Sequence, residues 1–156
     1  MDKRENDELC SIAQHLFVET SRFTEGLGLT VASMATETAS MRFSNRDDLT
    51  GSERTSNLHG GVIAAVMDIT GSLVVFSNLI HRMKDNSLRK RIEKITRINT
   101  IDLRIDYIRP GSGASFVATG HIMRTGRTVA VSRIELHGEE GHLLAVGTAS
   151  YILSVK

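Results

Sequence analysis

The residues of this chain best placed to do chemistry are His59, Gly60, Gly61 and Asp68. His59-Gly60-Gly61 is a polar turn that opens a long apolar run, and Asp68 is the one carboxylate inside that run. Glycines permit a tight helix start and let a ligand come close to the main chain. The first N–H groups of a helix have no internal partner and lie at the positive end of its dipole. Such groups suit an oxygen that carries partial negative charge, as on a polarised ester or thioester carbonyl. An ionised carboxylate in an apolar helix is costly unless it is paired or hydrogen-bonded. Asp68 fits a catalytic role, and it equally fits a buried acid bonded to Thr70, Ser72 or the backbone. The rise of a helix separates His59 from Asp68 by roughly 13.5 Å along the axis. One helix therefore cannot hold a carbonyl at its N-terminus and attack it with its own aspartate. A catalytic reading requires a second, antiparallel copy of the helix, which implies a dimer with shared sites.

The elements that must position these groups are legible in the pattern. Residues 60–80 are apolar on every side, which marks a helix buried in a core or crossing a membrane. The run is long enough to span a bilayer. Asp68 in mid-run, Gly71, Asn78 and the strands that follow favour the core helix. From residue 98 the period becomes two: Ile101, Leu103, Ile105 and Tyr107 share one face, and Thr100, Asp102, Arg104 and Asp106 the other. Pro110-Gly111 ends that strand. Strands over 115–124, 128–137 and 143–153, with turns at Thr125-Gly126 and 138–141, complete an expected four-strand antiparallel meander. A sheet with one apolar face needs a cover, and the apolar helix supplies it. Upstream, Leu9, Ile12 and Leu16 mark an amphipathic helix over 7–24, ended by Gly26 and Gly28. Short strands are expected over 29–35 and 39–43, then a polar loop over 44–57. Residues 81–97 are locally basic, with Ser87 as N-cap of a short helix carrying Leu88, Ile92 and Ile95. Its charges read as a solvated face, or alternatively as an attraction for phosphates.

Composition bounds the function. The chain has 156 residues, enough for one domain, here 1–156, with a sizeable core. Aromatics are 4% with no Trp, and Lys+Arg 19 against Asp+Glu 18 leaves +1, so no nucleic-acid partner is expected. Cys10 is the only cysteine, which excludes an internal disulfide, and the charged N-terminus lacks the apolar core of a signal peptide. A cytoplasmic protein without a membrane span is the expectation. No metal-ligand spacing, no G-x-S-x-G elbow and no phosphate-binding G-x-x-x-x-G-K-[ST] occurs.

His-Gly-Gly, then six residues, then Asp resembles the motif of the PaaI-type hotdog-fold acyl-CoA thioesterases, and most nearly their bacterial YigI-like branch. The second half is similar as well: Thr-Ile-Asp-Leu-Arg-Ile-Asp-Tyr-Ile-Arg-Pro-Gly over 100–111, Gly126-Arg127-Thr128 between strands, and Ala-Val-Gly-Thr-Ala over 145–149. The resemblance covers residues 9–153. It implies an α+β hotdog fold, an antiparallel sheet wrapped around one long central helix. It implies a thioesterase without metal or cofactor, acting on acyl-CoA as a dimer or dimer of dimers. By the same analogy Asp68 is general base or nucleophile, and Gly60, with Gly61, polarises the carbonyl. His59 caps the helix or orients the carbonyl, and Thr100 positions the water near Asp68. Relatives place an Asn or Gln in the loop before the helix. Here Glu53 stands at that place and Asn57 is nearby, so this helper is unassigned. Arg109 and Arg127, at strand ends, are candidates for the coenzyme A phosphates. The rival readings are a hotdog hydratase or dehydratase, and a non-catalytic acyl-CoA-binding protein.

Overall fold

The computed structural model describes residues 2–52, 54–84 and 87–155. Its centre is helix α3, Gly60–Arg82, whose inner face is buried along most of its length. A six-stranded antiparallel sheet curls around it. The strands are β1 (Thr30–Met34), β2 (Thr38–Ser44), β5 (Ile95–Tyr107), β6 (Ser115–Thr125), β7 (Val129–Gly138) and β8 (Leu143–Val155), in the order β1-β2-β6-β7-β8-β5. The residues of 44–57 are not loop throughout: β3 (Thr50–Ser52) and β4 (Thr55–Leu58) form a separate two-stranded hairpin. Among the described residues the other α-helices are α1 (Lys3–Gln14), α2 (Arg22–Gly26) and α4 (Leu88–Lys94), and a 3-10 turn spans Asp47–Leu49.

Alternation within the central strands drives the inner face of the sheet. Phe116, Ala118, Ala130, Ile134, Leu136, Ala149 and Tyr151 point inward and meet Val66, Met67, Leu73 and Val74 of α3. Small residues bring helix and sheet close. A Cβ at Gly120 would lie 2.8 Å from the Val74 side chain, and one at Gly147 3.0 Å from Met67.

Other expectations change as well. The four-strand meander is a three-strand one, β6-β7-β8, with β5 paired to β8 at the sheet's far side. Residues 108–114 leave β5 and cross beneath the start of α3, where Gly111 accepts from Leu58 N–H at 2.9 Å. The curled sheet makes that short crossing feasible. The helix expected over 7–24 starts earlier, with Asp2 capping Glu5 N–H at 2.8 Å, and breaks after a π-helical turn over His15–Glu19. The basic face of 81–97 is not wholly solvated. Arg91 is only 6% exposed, donates to the Ile80 carbonyl at 3.3 Å and pairs with Glu5, tying α4 to α1. Ser87 precedes α4 without a side-chain capping bond.

The two sheet edges differ. The Gln14 amide caps β1, donating to Leu29 O at 3.1 Å and accepting from Val31 N–H at 2.8 Å. At the other edge β5 carries no such cover among the described residues, and Ile101 is 57% exposed.

Candidate active site

The start of α3 is built by His59. Its backbone is extended, and its Nδ1 accepts from Gly61 N–H at 2.9 Å. A Cβ at position 61 would sit 3.0 Å from that nitrogen, so glycine gives the cap its room. Gly61's N–H is thereby occupied, while Gly60's meets no protein acceptor among the described residues. The approach to the helix is pinned from below: His59 N–H donates to Leu49 O at 2.8 Å, and Asn45 Nδ2 donates to Ser56 O and Gly113 O at 2.8 and 2.9 Å. Tyr107 on β5 donates to Gly60 O at 3.0 Å. Asn57, Gly60, Tyr107 and Arg109 line one cleft of about 400 Å³. Arg109 Nη1 donates to Leu143 O at 2.9 Å within this corner.

Asp68, half-buried two turns further along α3, accepts from Thr100 Oγ1 at 2.8 Å. That contact corrects the alternation read for β5. In the register with β8, Thr100 faces Tyr151 and Asp102 faces Ser150, so Ile101 is an extra, bulged residue. A bulge shifts every side chain after it by one. Thr100 therefore lies on the helix side together with Leu103 and Ile105, and Ile101 turns out to solvent. Beneath Asp68, Tyr151 is fully buried and donates to the Asp68 carbonyl at 3.1 Å. Burial first, and then the Asp68 charge, push the Tyr151 phenol well above its ordinary value.

The structure thus gathers Asn57, Gly60 and Arg109 in one place and Asp68 with Thr100 in another, both along β5. Arg127 joins neither. It lines a separate cleft of about 460 Å³ at the end of α3, with Arg82, Leu79 and Met83. Met67 packs in the core, whereas Ala64 and Ala65 are half-buried. Glu53 lies outside the described residues. No group of three or more His, Cys, Asp or Glu suited to a metal ion occurs among the described residues. Neither tyrosine stood among the site residues expected from the sequence, where Tyr107 was only a strand residue. They are the only two in the chain, and both donate to carbonyls of α3.

Residues 55–145, more than half of the chain, match the thioesterase superfamily. The chain belongs to the thioesterase superfamily. Over 147 residues it is 36% identical to the medium/long-chain acyl-CoA thioesterase YigI of Escherichia coli K12, covering 94% of this chain and 95% of that one. The same-named protein of Salmonella typhimurium is 35% identical over the same shares. A crystal structure of a Shewanella oneidensis protein related to the thioesterase superfamily superposes with a TM-score of 0.84 at 31% identity, covering 98% of this chain and all of that one. This thioesterase-superfamily chain is of the YigI-like kind, its fold is the hotdog fold, and its class of activity is thioester hydrolysis.

Proposed function

We propose that the chain hydrolyses acyl-CoA, with a medium- or long-chain fatty acyl group or an aromatic one, to the free acid and coenzyme A. The observation that carries this reading is the Thr100–Asp68 bond of 2.8 Å, which presents a carboxylate at the open β5 edge of the sheet. The similarity to acyl-CoA thioesterases named YigI supports the substrate class.

In this reading Gly60's N–H receives the thioester oxygen as charge develops on it, where a helix N-terminus stabilises the tetrahedral intermediate. His59 keeps Gly61 bonded and the turn shaped. Asp68 either removes a proton from the attacking water or attacks the carbonyl carbon itself, and Thr100 orients it. The C–S bond breaks, and the thiolate of coenzyme A leaves and takes up a proton; where Asp68 itself attacks, water then hydrolyses the acyl-aspartyl anhydride to the free acid and restores the carboxylate. Asn57 and Arg109, in the Gly60 cleft, contact the substrate, with Arg109 the nearer partner for phosphate. Arg127, at the far end of α3, serves only a molecule that runs the length of the helix.

The site is shared between two copies. Gly60 and Asp68 are roughly 12 Å apart along one helix, too far to serve one carbonyl. Tyr107 sits at Gly60 and Thr100 at Asp68, both on β5. Antiparallel pairing of two β5 edges, about an axis between Leu103 and Arg104, sets each copy's Asp68 opposite the other's Gly60. The difference between the edges supports this, since Gln14 caps β1 and nothing comparable caps β5 among the described residues.

The test is thiol release from a panel of acyl-CoAs by wild type and Asp68→Asn. Loss of at least a hundredfold in rate by a variant that stays folded and dimeric is expected. Binding of acyl-CoA by wild type with no thiol release would overturn the enzymatic reading.

A further inference from the structure

Tyr151 and Thr100 are cross-strand partners on β8 and β5. Both side chains face α3, and both end on the same residue. Thr100 holds the carboxylate of Asp68 at 2.8 Å, and Tyr151 holds its main-chain carbonyl at 3.1 Å. A mid-helix carbonyl already accepts from the N–H four residues on, so it has no need of a second donor. A bond added from the sheet instead fixes where that turn of helix stands.

The space around the hydroxyl is cut to fit it. Three residues after Asp68, α3 carries Gly71, and a Cβ there would run into the Tyr151 hydroxyl. The same Cβ would stand 3.1 Å from Ser132 Oγ and from Ile134 Cδ1. Glycine is a poor residue for a helix interior, and here its missing side chain is filled by the phenol oxygen. Ser132 shares this notch, with its Oγ 3.5 Å from the Gly71 carbonyl and its side chain in hydrogen-bonding reach of the Tyr151 hydroxyl. The ring of Tyr151 is fully buried, so a phenylalanine would fill nearly the same core volume and lack only the hydroxyl and its bonds.

We propose that Tyr151 is a positioning residue for Asp68: its hydroxyl, seated in the notch at Gly71, locks the Asp68 turn of α3 against β8 and keeps the carboxylate within reach of Thr100. The inference rests on the reading of Asp68 as the group that acts on the thioester. It assigns no proton transfer to the phenol.

The test compares wild type, Asp68→Asn, Tyr151→Phe and the double variant, all as the full chain, by thiol release from an acyl-CoA that wild type hydrolyses. Tyr151→Phe should lower kcat about tenfold with KM unchanged. In the Asp68→Asn background the same change should leave the residual rate unaltered, which a general loss of structure would not do. A wild-type kcat for Tyr151→Phe, or an equal loss in both backgrounds, would overturn the proposal while leaving Asp68 in its role. A wild-type rate for Asp68→Asn would overturn the reading of Asp68 itself, and this proposal with it. The notch has its own test in thermal melts. Gly71→Ala should lower Tm, and adding Tyr151→Phe should recover part of the loss by removing the obstructing oxygen. A double variant no more stable than Gly71→Ala would contradict the notch.

Discussion

Asp68 touches β5 through its carboxylate and β8 through its carbonyl, so both strands bear on one side chain. The Thr100 hydroxyl is the only part of that residue the carboxylate needs. Thr100→Ser keeps it and should keep kcat within about twofold, whereas Thr100→Val should lower kcat about tenfold. Equal rates for the Ser and Val variants would remove Thr100 from the site. Tyr151 adds a dependence on alkaline pH. Its phenol ionises far more readily unfolded than buried, so the native state binds the extra proton above the ordinary value of 10.0. Stability from this group is therefore fully present below pH 10 and falls as pH rises beyond it. Urea melts between pH 9 and 11 should show a steeper loss for wild type than for Tyr151→Phe. Parallel slopes would contradict the burial-driven shift.

Elements were legible to different degrees, for physical reasons. Helix α3 was plain as a helix because a glycine start and an apolar run over 60–80 with no polar face mark one, and the structure extends it only to Arg82. The bulge at Ile101 was not, since a two-residue period carries no mark of one extra residue, and it moved Thr100 to the opposite face from the one expected. The pairing of β5 with β8 was hidden for another reason. Short turns predict neighbours, and only the curl of the sheet about α3 lets 108–114 pass between distant strands. His59 was legible as a residue of the helix start, and the choice of ring nitrogen as cap was not. A cap is replaceable by another acceptor. His59→Asn should hold Tm, whereas His59→Ala should lose about 1 kcal/mol, or about 2–4 °C, in a calorimetric melt. Identical melts for the two variants would show that the Gly61 bond contributes nothing.

At the scale of the whole molecule the two sheet edges are unequal, and that inequality bears on assembly. A long uncovered edge strand is a template for another strand. The chain covers one edge with α1 and leaves Ile101 and Tyr107 of β5, with Ile108 just after it, exposed. Ile101→Lys places a charge at the bulge on that edge, outside the core. Light scattering should then report a dimer for wild type and a monomer for the variant, with unchanged circular dichroism and thiol release down at least tenfold. A dimeric, active variant would place the assembly surface elsewhere.

The sharing of each site by two copies is the claim most open to direct measurement. Gly60→Pro removes the N–H assigned to the carbonyl, at a first helical position where proline is well accommodated. Asp68→Asn removes the carboxylate assigned to the attack on the thioester. Each homodimer should be nearly inactive. A heterodimer of the two, co-expressed with different tags and purified through both, holds one site with neither lesion and one with both. The account predicts recovery of about half the wild-type rate of thiol release per dimer. A heterodimer as inactive as its parents would mean that Gly60 and Asp68 of the same chain serve the same carbonyl, and the shared site would be wrong.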